Sequence, residues 1–309
     1  MTNAISTDHL SKQFGRNSAL EDVSFSVAEG TIYALVGANG AGKTTLIKLL
    51  MNILAPTAGR ATVLGMDAAE LQGEKFNRIG YVSENQEMAE WATVGGMLDY
   101  FRPFYPQWDR ELEWRLVRQF DLPLKRRLKQ LSRGMRMKAA LVSSLAYRPA
   151  LLVLDEPLSG LDPFVRDELI EGLREQARET TIVLSSHDLA EIESFATHVG
   201  FIEQGRMLFS EEMAGLMGRF RSVTVSGIAA GAHGSEDYPA AWLNAELVDG
   251  MLRFAHSDYQ GLASEAELRT ILPHASEVQF EAMPLRAIFL AIAKASRLRK
   301  IAMRAGVAA

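Results

Sequence analysis

Residues 31–50 read TIYALVGANGAGKTTLIKLL, and this stretch decides the fold. Its first residues are largely apolar and β-branched, which predicts a buried strand. A glycine-rich turn follows at once, and apolar residues then recur with helical spacing at Leu46, Leu49, Leu50 and Ile53. The stretch therefore predicts a strand, a tight loop and a helix in direct succession, as in an α/β protein.

The glycine-rich turn has the pattern of a phosphate-binding loop. Successive backbone N–H groups of such a loop wrap a β-phosphate, and side chains would obstruct that wrap. We expect Lys43 to reach the β- and γ-phosphate oxygens and Thr44 to ligate Mg²⁺, with the N-terminus of the helix aimed at the anion. The alternative is a glycine turn that merely caps a helix. The predicted binding residues of the loop are Gly37, Asn39, Gly40, Ala41, Gly42, Lys43, Thr44 and Thr45.

A second apolar run ends in two acids. Residues 151–154 read LLVL, which predicts a buried parallel strand, and Asp155 and Glu156 follow directly. Open α/β sheets bind ligands at the carboxyl ends of their strands. We therefore expect Asp155 in a magnesium shell and Glu156 beside the water that attacks the phosphate. Two adjacent acids also often follow a strand simply because a loop begins there. The functional interpretation therefore depends on the glycine-rich loop.

The remaining segments indicate how the chain is organised. Short alternating stretches before residue 28 predict antiparallel strands with turns at Gly15 and Gly30. Residues 87–148 combine aromatic residues, paired charges and helix-compatible stretches, which predicts a helical insert. Residues 181–185 predict the return of the parallel sheet.

The predicted fold class is α/β. We expect a P-loop NTPase core with a parallel sheet, an antiparallel β subdomain and the helical insert over residues 1–218. Residues 219–309 show no phosphate chemistry, and their alternating stretches, separated by glycine and proline, predict a small α+β appendage.

Composition narrows the classes of function. A formal net charge of -5 argues against a nucleic-acid binder, for which a basic face is expected. The sequence has no cysteine, which excludes disulfides, thiolate catalysis and cysteine-ligated metals. Neither an apolar leader nor an uncharged apolar run of about 18 residues is present, so we expect a soluble, cytoplasmic protein.

The order of motifs resembles the ATP-binding cassette (ABC) family over residues 1 to about 215. Between the loop and the acid pair stands a short segment with Ser132 and Gly134, and Asp162 and then His187 follow the acids. By that resemblance, residues 131–135 are the signature motif, which contacts the γ-phosphate held by a second copy of the chain. His187 is then the switch histidine at the γ-phosphate, acting in catalysis with Lys43 and Glu156, and Asp162 lies across the dimer near the other copy's phosphate loop. The resemblance implies ATP and Mg²⁺ as ligands.

Several of these residues have a structural alternative. Ser132 could serve only as the N-cap of the helix that follows it. A histidine after a strand, such as His187, is often structural. Phe14 stands where the family commonly stacks an aromatic ring on adenine, although an aromatic residue in an N-terminal strand is also typical of a core.

The sequence departs from the family pattern at two places. Arg133 and Met135 replace a glycine and the glutamine of the usual signature, and a guanidinium beside a phosphate is chemically compatible. Glu84 stands where a glutamine is expected at the metal, and Gln86 comes two residues later. A carboxylate ligates magnesium readily, so we assign Glu84 to the metal, while the sequence leaves open which of the two approaches it.

The resemblance implies a cassette that works in pairs. ATP contacts both copies only in the closed dimer, so nucleotide closes the pair and hydrolysis opens it. The chain looks most like the single-cassette subunits of bacterial exporters, which act through a separate transmembrane permease on the inner face of the cell membrane. The alternative is a soluble, non-transport ABC ATPase with a regulatory C-terminal domain.

An aromatic stretch lies at the start of the insert. We expect most of its residues to fill the core of the insert. An alternative hypothesis is that those near Met88 and Trp91 line a groove for a short helix of a membrane partner, because exposed aromatic residues favour interfaces. The stretch comprises Trp91, Tyr100, Phe101, Phe104, Tyr105 and Trp108.

Overall fold

The computed structural model describes residues 2–84, 86–228 and 238–304. The chain divides into two compact units, Met1–Ser210 and Glu211–Ala309. Each has its own cluster of buried apolar side chains. Within the described ranges, none of the helices combines the length and the apolar composition needed to cross a bilayer.

Four strands of the first unit form an antiparallel sheet. Numbered along the chain, they are β1 (Asn3–Phe14), β2 (Asn17–Ala28), β4 (Ala58–Val63) and β5 (Met66–Asp67). Their order in the sheet is β2-β1-β4-β5. Phe14 pairs with Asn17, so the chain reverses at Gly15 as the sequence predicts. Buried residues such as Leu10, Leu20 and Val63 join this sheet to the core of the first unit.

Six further strands form the central sheet. They are β3 (Ile32–Val36), β6 (Ile79–Val82), β7 (Leu151–Leu154), β8 (Thr181–Ser186), β9 (His198–Glu203) and β10 (Arg206–Glu212). Their order is β10-β9-β3-β8-β7-β6, and every pairing from β9 to β6 is parallel. Strands β3, β7 and β8 are buried along their whole length, as parallel strands covered on both faces must be. Because β3, β8 and β7 are neighbours and run parallel, their carboxyl ends meet at one edge of the sheet.

Among the described residues of the first unit, six segments form α-helices. They are α1 (Lys43–Leu50), α2 (Val94–Phe101), α3 (Arg110–Gln119), α4 (Arg133–Leu145), α5 (Pro163–Gln176) and α6 (Leu189–Glu193). Helices α2 to α4 form the predicted insert. Asp109 is the N-cap of α3, because its Oδ1 accepts hydrogen bonds from the backbone N–H groups of Glu111 and Leu112. These bonds satisfy donors that the first turn of a helix leaves unpaired.

The aromatic stretch of the insert is more exposed than the sequence predicts. Trp91 is 79% exposed, and Tyr100 and Phe104 are also exposed, so the prediction that most of these rings fill the core is wrong for these residues. Aliphatic side chains on α2, α3 and α4 fill it instead. Tyr105 is half-buried and stacks on Tyr147, with 3.8 Å between ring centroids.

The second unit is an α+β unit, as predicted. Its strands form an antiparallel sheet whose core includes Val223, Trp242 and Phe254, and the Trp242 and Phe254 rings stack with centroids 4.2 Å apart. The strands are β11 (Arg221–Ser226), β12 (Trp242–Val248), β13 (Met251–His256) and β14 (Glu277–Ala282), and the helices are α7 (Met213–Arg219), α8 (Leu262–Ile271) and α9 (Leu285–Arg304). The sheet order is β12-β13-β11-β14.

Candidate functional site

The glycine-rich loop joins β3 to α1 at the carboxyl edge of the central sheet. Gly42 has a φ of +114°, a conformation that residues with a side chain avoid. A Cβ on Gly37 would overlap the carbonyl oxygen of Ile202 on β9, so this position has no room for a side chain. The loop borders a cleft of about 440 Å³ at the start of α1, where the positive end of the helix dipole favours an anion. The cleft is lined by Asn17, Ser18, Ala19, Asn39, Gly40, Gly42, Lys43, Thr44, Thr45, Glu84, Glu156, Gln204 and Gly205.

Lys43, Glu156 and His187 form one continuous array beside the loop. Lys43 Nζ lies 3.0 Å from Glu156 Oε1 and donates to the Gly37 carbonyl oxygen at 2.8 Å. The other carboxylate oxygen, Glu156 Oε2, lies 2.8 Å from His187 Nδ1. Lys43 and Glu156 are only 5% and 8% exposed, so salt screens their attraction little. The structure thus brings the three predicted catalytic residues together.

The backbone at Glu156 is in a sparsely populated conformation. Its φ is +51°, in the left-handed region. Its N–H donates to Ser185 Oγ at 2.8 Å, which helps to hold the residue in place. Strain of this kind is concentrated at functional sites, where the surrounding structure can maintain it.

Asp155 lies among hydroxyl groups at the same edge. Thr44 Oγ1 is 3.2 Å from Asp155 Oδ1, and the Ser185 hydroxyl donates to that oxygen at 2.7 Å. Burial, with the charge of Asp155, raises the pKa of Tyr81. Carboxylate and hydroxyl oxygens beside a phosphate cleft fit Mg²⁺, which proteins hold through one or two carboxylates together with substrate phosphates and water. Among the described residues there is no cluster of three or more acidic, histidine or cysteine side chains that could hold a metal by itself.

Glu84 and Gln86 differ in their access to the phosphate cleft. Glu84 lines the phosphate cleft. Gln86 lines a neighbouring cavity of about 540 Å³, and its Oε1 is buried without a hydrogen-bond donor in the part of the chain that the structure describes. Of the two candidates that the sequence left open, Glu84 is therefore the one next to Lys43 and Thr44.

The signature segment begins α4, and its residues do not line the cleft of their own chain. Ser132 is the N-cap of α4, because its Oγ accepts the Met135 N–H at 3.2 Å. Gly134 lets α4 approach α5 closely, since a Cβ there would lie 2.6 Å from Val165 Cγ1. Ser132 therefore acts as an N-cap in this structure. The residue is exposed, and its hydroxyl still has a proton to donate.

Asp162 is the N-cap of α5 and is exposed. Four residues on, Arg166 forms an ion pair with Glu191 on α6 and donates to the Leu161 carbonyl oxygen at 3.3 Å. Burial, together with the charge of Asp188, raises the pKa of Glu191 to about 7, although Arg166 acts in the opposite direction. The segment with Asp162 is thereby joined to the segment that follows His187.

Phe14 lies at the tip of the β1–β2 hairpin. Its ring is 48% exposed, with Lys12 Nζ 5.1 Å from the centroid, so it is not a core residue. Its strand partner Asn17 lines the cleft. Stacking of this ring on adenine remains a prediction.

Sequence reasoning did not single out several residues of the site. Ser185 links Asp155 to the Glu156 backbone, whereas the sequence pattern predicts only a strand there. Gln204 and Gly205 line the cleft from the turn after β9, and the Gly205 N–H donates to the Ala41 carbonyl oxygen at 2.9 Å. A polar residue followed by glycine after an apolar strand indicates only a turn, so no local signal marked this pair.

One family model, several relatives and solved structures match this chain. The sequence profile named ABC transporter matches residues 20–159. An uncharacterized ABC transporter ATP-binding protein of Synechocystis sp. is 33% identical over 210 residues, which are 65% of this chain, and the chain covers 58% of that protein. The daunorubicin resistance ATP-binding protein DrrA2 of Streptomyces coeruleorubidus is 35% identical over 219 residues, covering 69% of this chain and 68% of that protein. A solved ATP-binding subunit of an ABC transporter superposes with a TM-score of 0.63 at 29% identity, covering 70% of this chain and 92% of that chain.

A parallel sheet with a phosphate loop before α1 and two acids after β7 defines the class of P-loop ATPases. Within that class, the chain belongs to the ABC transporter family of ATP-binding proteins. The family and the fold class predicted from the sequence are both confirmed.

Proposed function

We propose that the chain binds and hydrolyses ATP with Mg²⁺ as one of two copies that drive transport through a separate transmembrane permease subunit. The observation that carries this proposal is the array of Lys43, Glu156 and His187 beside the phosphate loop. The similarity to a daunorubicin resistance protein favours export as the direction. Coupling to the permease places the chain on the inner face of the cell membrane.

Binding of ATP would rearrange the Lys43–Glu156 pair. The backbone N–H groups of the loop bind the β-phosphate. Lys43 leaves Glu156 Oε1 and contacts the β- and γ-phosphate oxygens. Glu156 Oε1 then becomes available to a water molecule. The water oxygen bonds to the γ-phosphorus while the bond to the bridging oxygen breaks, and Glu156 accepts the water proton. His187, bound to Oε2, keeps the carboxylate oriented.

Thr44, Asp155 and Glu84 would hold the magnesium ion. Mg²⁺ neutralises charge on the β- and γ-phosphate oxygens when it is bound. Ser185 keeps Asp155 oriented through its hydrogen bond to Oδ1.

The second copy would supply the signature segment. Ser132, the N-terminus of α4 next to Gly134, and Asp162 lie outside the cleft of their own chain, and Ser132 and Asp162 are exposed. In the closed pair, Ser132 donates its hydroxyl to the γ-phosphate of the other copy. ATP contacts both copies only in the closed state, so it shifts the population toward the pair.

The nucleotide reaction is tested with purified chain and with Glu156→Gln. We expect the variant to bind ATP, to form pairs and to lose turnover by about 10²–10⁴-fold, since it lacks the base. Glu74→Gln, an exposed acid outside the site, is the matched control and should keep full turnover. Full hydrolysis by Glu156→Gln would remove Glu156 from the base role. Failure of both forms to bind adenine nucleotides would remove the proposed function.

We assign the surface around the 540 Å³ cavity to contact with the permease. Gln86, Glu87, Met88 and Glu90 line one side of it, and the exposed Trp91 follows directly in the chain. An exposed aromatic beside a cavity is typical of the anchor points of protein interfaces.

Trp91→Ala tests this surface. We expect it to reduce recovery of the permease from solubilised native membranes by tenfold or more, on the order of a hot-spot loss, while ATP affinity is unchanged. Trp114→Ala, which removes an exposed ring on α3, is the control. Unchanged recovery and unchanged coupled turnover with Trp91→Ala would exclude this surface.

A further inference from the structure

The two departures from the family pattern contact each other. Glu84 stands where the family has glutamine, and Arg133 stands where the signature has glycine. Arg133 Nη2 lies 3.5 Å from Glu84 Oε1, although 49 positions separate the two residues in the chain. Each side chain is partly exposed, at 48% for Arg133 and 39% for Glu84.

Arg133 lies where three functional segments meet. It is the first residue of α4, where the positive end of the helix dipole disfavours a cation, and the Glu84 carboxylate offsets that cost. Its guanidinium also lies against Gly160, because a Cβ there would be 3.0 Å from Nη1. Gly160 lies two residues before Asp162. Arg133 therefore joins the signature segment to the Glu84 loop and to the Asp162 segment.

Glu84 borders both the phosphate cleft and the neighbouring cavity. In the cleft it shares the lining with Lys43 and Thr44, and in the cavity it shares it with Arg133. A change of charge in the cleft therefore acts on the carboxylate that Arg133 contacts.

We propose that the Glu84–Arg133 pair is a latch on the signature segment, an inference that rests on the proposed function. In the nucleotide-free chain, the Glu84 carboxylate forms an ion pair with the Arg133 guanidinium. In the closed pair, the γ-phosphate held by the other copy takes the place of Glu84, so that Arg133 binds phosphate where the ordinary signature has no side chain. A bound triphosphate thus favours release of the segment for pairing.

Relative strengths favour this exchange. A partly exposed ion pair changes an equilibrium by no more than about fivefold, because water and side-chain entropy offset it. A charge-assisted hydrogen bond from arginine to phosphate is stronger, about tenfold to a hundredfold, and arginine matches the phosphate geometry. The phosphate therefore displaces the carboxylate once both are within reach.

The experiment measures the dissociation constant of the pair by sedimentation, in the Glu156→Gln background at saturating ATP. Arg133→Met should weaken pairing by about tenfold or more, with the ATP affinity of the dilute, unpaired chain unchanged. Arg115→Met, which removes an exposed arginine of the same insert, should change pairing by less than twofold. The unchanged affinity of the unpaired chain also shows that the variant is folded.

Glu84→Gln tests whether the Glu84–Arg133 contact is a latch that opens on pairing or a permanent support of the signature segment. A latch predicts that this variant tightens pairing by about twofold to fivefold, because the competing anion is gone while the amide oxygen can still ligate magnesium, and that it has no effect once Arg133→Met is present. If Glu84→Gln weakens pairing as much as Arg133→Met, or if Arg133→Met leaves pairing unchanged, the latch is excluded and the proposed function stands. If the background protein neither binds ATP nor pairs, the proposed function itself fails.

Discussion

At the residue scale, the buried pair of Lys43 and Glu156 has a large effect on stability when one partner is removed. Removing one partner of a buried ion pair leaves a charge without compensation, which costs about 3 kcal/mol or more, whereas removing both costs far less. We therefore expect Lys43→Met to lower the free energy of unfolding of the nucleotide-free chain by about 3 kcal/mol. Urea unfolding measures this loss.

The double variant is the control for that prediction. Lys43→Met combined with Glu156→Gln should recover most of the loss, because no charge then remains buried in the pair. A double variant as unstable as Lys43→Met alone would show that the loss has another origin.

Glu191 makes stability depend on pH. Its pKa is raised from 4.5 to about 7 in the folded chain, so the folded state binds more protons than the unfolded state between these values. The stabilisation from its bound proton is full below about pH 4.5 and is lost as the pH rises toward 7. Relative to Glu191→Gln, the unchanged chain should lose about 2 kcal/mol of unfolding free energy over this range.

Urea unfolding of both chains at several pH values checks the Glu191 prediction. Glu191→Gln should lack this component of the pH dependence, since an amide does not titrate. Parallel pH profiles for the two chains would contradict the assignment.

At the element scale, the contact between α4 and α5 depends on Gly134. An alanine there would place its Cβ 2.6 Å from Val165 Cγ1, and crowding of this kind costs about 1–3 kcal/mol. The better helix propensity of alanine offsets at most about 1 kcal/mol. We expect Gly134→Ala to lower the free energy of unfolding, and Val165→Ala to restore part of it when the two are combined. No recovery in the double variant would mean that α5 is not what the added methyl group meets.

The edge of the parallel sheet explains why distant motifs act together. β3, β7 and β8 end side by side, so the phosphate loop, the acid pair and the segment with His187 meet there. A strand buried on both faces is largely apolar, so charged residues such as the acid pair come where the strand ends. The position of the site follows from the way the sheet is covered.

At the scale of the whole molecule, every predicted site residue lies in the first unit. If ATP binds this unit alone, an excess of a hundred times Kd should raise the free energy of unfolding by about 2.7 kcal/mol. For Glu156→Gln with ATP, the thermal midpoint should also rise with protein concentration, because the folded pair is favoured by mass action. With ADP no such dependence is expected.

Thermal unfolding at two protein concentrations, tenfold apart, tests the whole-molecule prediction. An ATP-bound midpoint that does not depend on protein concentration would argue against pairing, and no shift with ATP would argue against binding.

The sequence by itself determined the βα unit around the phosphate loop, the buried strands and the family. These depend on local patterns: a side-chain-free loop between a strand and a helix, and apolar runs that end in acids. The same patterns were less reliable for the insert, where Trp91, Tyr100 and Phe104 proved exposed because aliphatic residues of three helices fill its core.

Only the tertiary structure decided which polar groups contact each other. It placed Glu84, not Gln86, at the phosphate cleft, and it brought Arg133 to Glu84 and Arg166 to Glu191. Contacts of this kind join segments far apart in the chain. Their partners depend on how strands and helices pack, and no local spacing of residues encodes that packing.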